Sequence, residues 1–170
     1  SSLFIGGSMV GTDDPATGRV EADGSIGRVF IGGSVLGGAG ADSGSLQAGF
    51  SIATLTVRGS VQGAEGEYSG SIRVGKALRH ARISGNLAGG AGDYSGFLEL
   101  GLKSKSIIVG GGVLGGTGDD SGRIASGDDI DLLALGADLQ GSSGDRSGTV
   151  DSGDDIDVLK IGGSILGGRG

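Results

Sequence analysis

The whole sequence is a 26-residue repeat that continues without a single insertion or deletion. After Ser1 and Ser2 it divides into six full copies and a partial seventh. The copies span residues 3–28, 29–54, 55–80, 81–106, 107–132, 133–158 and 159–170. A constant period of this length is typical of solenoids and other arrays, in which each repeat packs mainly against its neighbours. We therefore interpret residues 1–170 as one repeat domain, and we number the positions of each copy from 1 to 26.

Aliphatic side chains, many of them β-branched, recur at positions 1, 3, 7, 18 and 24. In the second copy these residues are Val29, Ile31, Val35, Leu46 and Ile52. The alternation predicts a strand over positions 1 to 7 with one face inward, a second strand from position 18 and a third, short one at position 24. One copy alone cannot bury its apolar face, whereas stacked copies pair strand with strand. The prediction is an all-β parallel β-helix (β-solenoid) of about six and a half coils, and right-handed winding is favoured because parallel crossovers are right-handed.

Glycine supplies 42 residues and forms columns in the repeat. Position 9 is glycine in all seven copies, position 16 in all six copies that reach it, and position 5 in every copy except the sixth, which has Ala137. Such columns indicate backbone with positive φ or a close approach between neighbouring coils. The net charge of −7 argues against nucleic acid as a partner. No apolar stretch approaches the roughly 18 residues that a membrane-spanning helix needs, so the sequence predicts no membrane insertion.

Paired acidic residues near the end of the chain form a candidate calcium site. The string Ser-Gly-Asp-Asp-Ile-Asp occurs at 126–131 and again at 152–157, so that Asp128 stacks on Asp154 and Asp129 on Asp155. Like charges on neighbouring strands are destabilising, and Ca²⁺ prefers carboxylate and carbonyl oxygens. The hypothesis of a calcium site at Asp128, Asp129, Asp154 and Asp155 competes with a solvated acidic corner. In that alternative, the lysines at positions 23 and 25 of the fourth copy partly neutralise the acids.

The turn after position 9 resembles a second kind of calcium site. The stretches at 37–42 and 115–120 read Gly-Gly-x-Gly-x-Asp, which is similar to the calcium-binding nonapeptide of the RTX family. The likeness is superficial, because Gly44 and Gly122 stand where that motif has a large apolar residue, and Tyr94 stands where the fourth copy should have the ligand Asp. We expect an ordinary turn rich in Gly, Asp and Ser.

Hydroxyl and aromatic columns suggest two further surfaces. Position 15 is Ser or Thr in every full copy, from Thr17 to Ser147. A second, imperfect ladder lies at position 6, from Ser8 to Ser164. Such ladders could face ice, but the place of position 15 beside the glycine of position 16 favours hydrogen bonds to the local backbone. Tyr68 and Tyr94 share position 14 on adjacent copies, and we expect their rings to stack, with a glycan as a candidate ligand. His80, the single histidine, lies at a variable position and is interpreted as a surface residue.

The whole repeat resembles a known class of repeat tract. Residues 31–46 and 109–124 show its clearest form, Ile/Val-Gly-Gly-Ser/Gly-x-x-Gly-Gly-x-Gly followed by an Asp- and Ser-containing turn. This string is similar to Gly/Ser/Asp-rich β-solenoid repeats of very large bacterial surface or secreted proteins of the adhesin type. The resemblance implies a stiff spacer or stalk without catalysis or cofactor, located outside the cell or on the bacterial surface. The alternatives are a binding module for calcium or glycan on an outer face, and an ice-binding face.

The two ends of the repeat lack polar caps. The chain begins two residues before position 1 and stops at position 12 of the seventh copy, which suggests a piece of a longer array. Terminal coils expose core side chains and unpaired strand edges. We therefore expect Leu3, Ile5 and Met9 to be bare at one end and Leu159, Ile161 and Ile165 at the other, and the chain to self-associate end to end.

Overall fold

The fold is a parallel β-solenoid. The computed structural model describes residues 1–169, which contain three parallel sheets built from short strands and no helix. Each strand pairs with its equivalent in the next copy of the repeat, as in Leu3 with Val29 and Met9 with Val35. The 26-residue repeat is therefore one coil of the solenoid, which confirms the predicted fold class. No helix in the described part is long and apolar enough to cross a membrane.

The first sheet has seven strands, one from each coil. They are β1 (Ser2–Ile5), β4 (Ile26–Ile31), β7 (Ile52–Val57), β10 (Leu78–Ile83), β13 (Ser106–Val109), β16 (Leu133–Leu135) and β19 (Leu159–Ile161). The second sheet also has seven. They are β2 (Met9–Val10), β5 (Val35–Leu36), β8 (Val61–Gln62), β11 (Leu87–Ala88), β14 (Val113–Leu114), β17 (Leu139–Gln140) and β20 (Ile165–Leu166).

The third sheet has six strands. They are β3 (Val20–Ala22), β6 (Leu46–Ala48), β9 (Ile72–Val74), β12 (Leu98–Leu100), β15 (Ile124–Ser126) and β18 (Val150–Ser152). The seventh coil stops before this sheet, so β18 forms its edge.

The predicted division of a coil into strands was wrong in two places. Positions 3 and 7 lie in different sheets, because the backbone bends at the glycines between them, such as Gly32 and Gly33. Position 24 does not form a strand of its own in the first to third coils, where β4, β7 and β10 run continuously from position 24 to position 3 of the next coil. From Ser104 onward the same column is reduced to isolated bridges, which link Ser104 to Ile130 and Ile130 to Ile156.

The core consists of stacked aliphatic columns. All five predicted inward positions are buried in the middle coils, and Ile31, Leu55 and Ile83 are 0 % exposed. Position 20 is a further inward column, with Val74 and Leu100 each 1 % exposed. The sequence hides this column because the other four copies carry only Ala or Ser there.

The glycine columns have separate structural causes. Position 16 has positive φ in every full coil, with values of 58° to 61°. At position 9 the coils approach closely: a Cβ on Gly63 would lie 2.4 Å from the backbone nitrogen of Gly96. At position 5 a Cβ on Gly59 would lie 2.1 Å from Oγ of Ser34, the residue at position 6 of the coil below. The exception, Ala137, follows a coil with Gly112 at position 6, where no side chain obstructs the methyl group.

The two ends are covered to different degrees. At the C-terminal end Leu159 is 45 % and Ile165 69 % exposed, as predicted, while Ile161 is half-buried. At the N-terminal end Leu3 and Ile5 are half-buried rather than bare, and the prediction was wrong for Met9, which is only 4 % exposed. An unbranched thioether side chain adapts to the space available, so Met9 closes part of the end where a shorter β-branched residue would not.

Candidate functional sites at two charged corners

One edge of the solenoid, formed by positions 14 to 19, is held by an ordered turn. We call it the paired corner. The residue at position 14 has positive φ in all six coils although none is glycine, with values between 51° and 57°. The hydroxyl at position 15 fixes this turn: Oγ of Ser121 accepts from the N–H of Gly116 at 3.0 Å and donates to the carbonyl of Gly118 at 2.6 Å. The predicted backbone hydrogen bonds of this column are confirmed.

The hydroxyl column of position 15 is not an outer surface. Ser43, Ser69, Ser95 and Ser121 are 0 % exposed and Ser147 is 5 % exposed. A flat hydroxyl ladder can contact ice only where its hydroxyls face water. Of the two columns on which the ice-binding hypothesis depended, the one at position 15 therefore lies inside the turn.

Arginines neutralise the acids of the paired corner. The Asp120 carboxylate, only 4 % exposed, accepts from Arg123 at 2.5 Å and from Arg146 at 2.6 Å. The hydrogen bond to Asp120 raises the pKa of Arg146. Asp42 pairs in the same way with Arg73. The aspartates of the RTX-like turns are thus partners of guanidinium groups, which supports the interpretation of these segments as ordinary turns.

Aromatic rings continue the paired corner between these two ion-pair clusters. Tyr68 and Tyr94 stack with their centroids 4.8 Å apart and an interplanar angle of 8°, which confirms the predicted stack. The other face of Tyr68 is covered by the Arg73 guanidinium, whose Cζ lies 4.4 Å from the ring centroid. Burial, with the nearby Tyr94, raises the pKa of Tyr68. Because both faces of Tyr68 are covered, this ring has no open face on which a sugar could stack.

Sequence reasoning missed the arginines of the paired corner. Arg19, Arg73, Arg123 and Arg146 stand at positions 14, 17 and 19, each within reach of an acid on its own coil or a neighbouring one. Each arginine occurs at its position in only one or two copies, so no column appears in the repeat. One pattern in the sequence could have predicted these ion pairs. Oppositely charged residues stand at adjoining positions of the same copy or of successive copies.

A second edge, formed by positions 22 to 26, carries charges sorted by sign. We call it the segregated corner. Its charged residues in the third and fourth coils are all basic, namely Lys76, Arg79, Lys103 and Lys105, with His80 beside them. Those in the fifth and sixth coils are all acidic, namely Asp128, Asp129, Asp131, Asp154, Asp155 and Asp157. Within the described residues, none of the six ion pairs involves a member of this corner. In this part of the chain Lys103 and Lys105 thus form no ion pair with the acids that they were expected to neutralise.

The candidate cation site lies in the acidic half of the segregated corner. Oxygen atoms of Asp128, Asp129 and Asp154 lie within 4.8 Å of one another. The fourth predicted ligand, Asp155, is outside this group, and its N–H donates to the Asp129 carboxylate at 3.2 Å. Ser152 Oγ donates to the Asp128 carbonyl at 2.8 Å. Three converging carboxylates are a donor set that suits a hard cation such as Ca²⁺.

His80 lies on the outer face of β10, exposed, with Nδ1 2.9 Å from Oγ of Ser106. This position agrees with its interpretation as a surface residue. Comparisons with protein-family models, with curated proteins and with solved structures found no match to this chain.

Proposed function

We propose that this chain is a stiff structural spacer of a larger bacterial surface or secreted protein, with no catalytic role. The observation that carries the proposal is the unbroken 26-residue register: each of the first six coils adds the same rise to one axis, and no coil has an inserted loop. Walls for a substrate cleft normally come from such loops. The location outside the cell rests on the resemblance of the repeat to surface-protein tracts.

Stiffness follows from the way the coils are joined. Three sheets run along the axis, so adjacent full coils are linked by hydrogen bonds on three sides. A continuous column such as Leu55, Ala81 and Ile107 fills the interior between them. Bending would require opening hydrogen bonds on one side and compressing a close-packed core on the other. A rod of this kind holds its two ends at a fixed separation, which is what a stalk requires.

The length of an extended chain tests the proposal. Residues 3–158 are duplicated in tandem, which preserves the register. Small-angle X-ray scattering should then show a rod longer by about 29 Å, since six coils each rise about 4.8 Å. A matched control places a flexible linker of Gly and Ser between the two copies, and its scattering should show a flexible joint. If the register-preserving duplicate behaves like this control, the proposal of a stiff spacer is wrong.

Calcium binding is a second candidate function, favoured by the convergence of three carboxylates at Asp128, Asp129 and Asp154. Millimolar CaCl₂ should raise the melting temperature, whereas equal ionic strength from NaCl should not. The double variant Asp128→Asn/Asp154→Asn should lose this rise. The control Asp131→Asn removes a nearby acid outside the three-carboxylate group and should keep the rise. Equal melting temperatures with and without calcium would contradict calcium binding and favour the alternative, a solvated acidic corner.

End-to-end association is proposed for the 170-residue polypeptide in solution. Ile165 is 69 % and Leu166 45 % exposed on the last coil, next to unpaired strand edges. Apolar surface and open edges favour pairing with another copy. Sedimentation velocity over a wide concentration range should show species larger than the monomer. A strictly monomeric boundary at millimolar protein would contradict this expectation.

A further inference from the structure

We propose that two copies of this chain associate side by side and antiparallel through the segregated corner. The first observation is the sorting of its charges. Over positions 22 to 26, the basic block of coils 3 and 4 is followed directly by the acidic block of coils 5 and 6. Within the described residues, the members of both blocks make no ion pair inside the chain, while all six ion pairs lie on the paired corner. Lys76 contacts the Phe50 ring, with its Nζ 4.6 Å from the ring centroid, but no ion pair in the described part of the chain neutralises either block.

The second observation is the exposure of apolar side chains at the same edge. Outside coils 1 and 7, the large apolar side chains with high exposure are Phe50 at 48 %, Leu102 at 44 % and Val158 at 42 %. All three stand at positions 22 or 26, on the segregated corner, in coils 2, 4 and 6. Leu102 of coil 4 lies inside the charged blocks, Val158 ends the sixth coil, and Phe50 of coil 2 lies beside the basic block. A protein–protein contact combines apolar side chains at its centre with a polar and charged rim. Leu102 stands directly before Lys103 of the basic block, so the apolar exposure and the charge sorting point to the same edge.

Symmetry selects the partner and its direction. A two-fold axis between coils 4 and 5 sets coil 3 of one copy against coil 6 of the other, and coil 4 against coil 5. Lys76 and Arg79 then meet the acidic residues around Asp154, and Lys103 meets those around Asp128. Both blocks of both copies are matched, and the contact closes as a dimer.

Other arrangements of two copies match fewer charges. A parallel pair in register would set Lys103 against Lys103 and Asp128 against Asp128, which is repulsive. A parallel pair shifted by two coils would match one block of each copy only, and it would continue into an open chain of molecules. A polyanion could contact the basic block alone, but it would be repelled by the adjoining acids and by the net charge of −7. The antiparallel copy is the occupant that satisfies both blocks.

Charge reversal tests the proposal. The first variant carries Lys76→Glu, Arg79→Glu, Lys103→Glu and Lys105→Glu, so its corner is wholly acidic. The second carries Asp128→Lys, Asp131→Lys, Asp154→Lys and Asp157→Lys, so its corner becomes predominantly basic. Sedimentation equilibrium should show at least a tenfold rise in the dimer dissociation constant for each variant alone. An equimolar mixture of the two should recover dimers, because the acidic corner then meets a basic one. Association through the coil ends is the same in all samples and does not produce this pattern.

Two further readouts make the outcome decisive. Raising NaCl from 50 to 500 mM should weaken the unmodified dimer by about tenfold or more, since exposed charge pairs are screened. A spin label on the variant Ala53→Cys should show a distance of about 24 Å in the dimer, because the two-fold axis sets the labels five coils apart along the axis. Unchanged dissociation constants in both variants, no recovery in the mixture, or label distances below about 15 Å, roughly three coil spacings, would each overturn the proposal. Binding of dextran sulfate to the monomer with self-association unchanged would assign the basic block to a polyanion instead.

Discussion

The glycine column at position 5, broken only by Ala137, makes a prediction about coupling between neighbouring coils. A Cβ on Gly59 would lie 2.1 Å from Oγ of Ser34 and 2.9 Å from the backbone of Gly33. Real Cβ atoms do not approach other atoms this closely, so Gly59→Ala must displace the coil below. Overpacking of this kind costs about 1–3 kcal/mol. The hydroxyl of Ser34 is the nearest obstacle, so the cost should depend on which residue occupies position 6 of the previous coil.

The chain already contains one alanine at position 5. Ala137 stands at position 5 above Gly112, and its N–H donates to the carbonyl of Gly111 at 3.1 Å. The equivalent bond from Gly59 to Gly33 is 2.8 Å. Where the hydroxyl is missing, the two coils thus accept a methyl group with a small separation. We expect Ser34→Gly to reproduce this arrangement at Gly59.

A double-mutant cycle in urea measures the effect. Gly59→Ala alone should lose about 2 kcal/mol of unfolding free energy. Ser34→Gly alone should lose about 1 kcal/mol, because the Ser60 N–H loses its acceptor at 3.1 Å. In the Ser34→Gly background the alanine should cost about 1 kcal/mol less than in the original chain. Gly7→Ala is the control: Gly7 has the same position in the first coil, and nothing lies within 4 Å of its Cβ. Equal costs at Gly7 and Gly59, or additive effects in the cycle, would refute the stacking of position 5 on position 6.

Four further variants test the core and the paired corner. Ile83→Ala should lose about 2–4 kcal/mol of unfolding free energy, since Ile83 is 0 % exposed in a continuous column. Asp93→Ala on an exposed turn should lose under about 1 kcal/mol. Equal losses in denaturant melts would contradict the assignment of these positions to core and turn. Ser104→Val should raise the melting temperature, because the Ser104 hydroxyl is buried in the aliphatic column of position 24 with no hydrogen-bond partner in the described part; a lower melting temperature would show that the hydroxyl is satisfied. The pKa of Tyr68 is raised in the folded protein. The stability that its neutral phenol contributes is therefore full below about pH 10 and is lost as the pH rises through the folded pKa. Tyr68→Phe should reduce the fall in unfolding free energy at alkaline pH, and identical pH profiles of the variant and the original chain would exclude Tyr68 as its source.

Much of the fold could be predicted from the sequence, because each position of the coil can be compared across up to seven copies of the repeat. An aliphatic residue such as Ile31 is uninformative by itself, but its column is aliphatic in all seven copies. The errors lie where a column is not apolar or where a bend depends on glycine. The inward column at position 20 was not predicted, because most of its residues are alanine or serine. These small side chains can be buried, but they do not form an apolar pattern in the sequence. The separation of positions 3 and 7 into two sheets depends on backbone angles at Gly32 and Gly33, which side-chain patterns do not encode.

The candidate sites were less predictable, because they depend on distances between side chains of different coils. The register placed Asp128 over Asp154 correctly, but the sequence could not show that Asp155 lies outside the three-carboxylate group. Nor could it show that Asp42 of the RTX-like turn is held by Arg73. Both facts follow from where long side chains reach across neighbouring coils, and single columns contain no information about this.

The stacking of one coil per 26-residue repeat is tested most directly by a distance along the axis. Val10 and Gln140 both stand at the exposed position 8, five coils apart. The chain has no cysteine, so Val10→Cys/Gln140→Cys can be labelled at these two sites alone. Double electron–electron resonance should give a narrow distribution at about 24 Å between the two backbones, broadened only by the label linkers. A broad distribution centred at about 60 Å, as for a flexible chain of this length, would contradict the solenoid and the spacer function that depends on it.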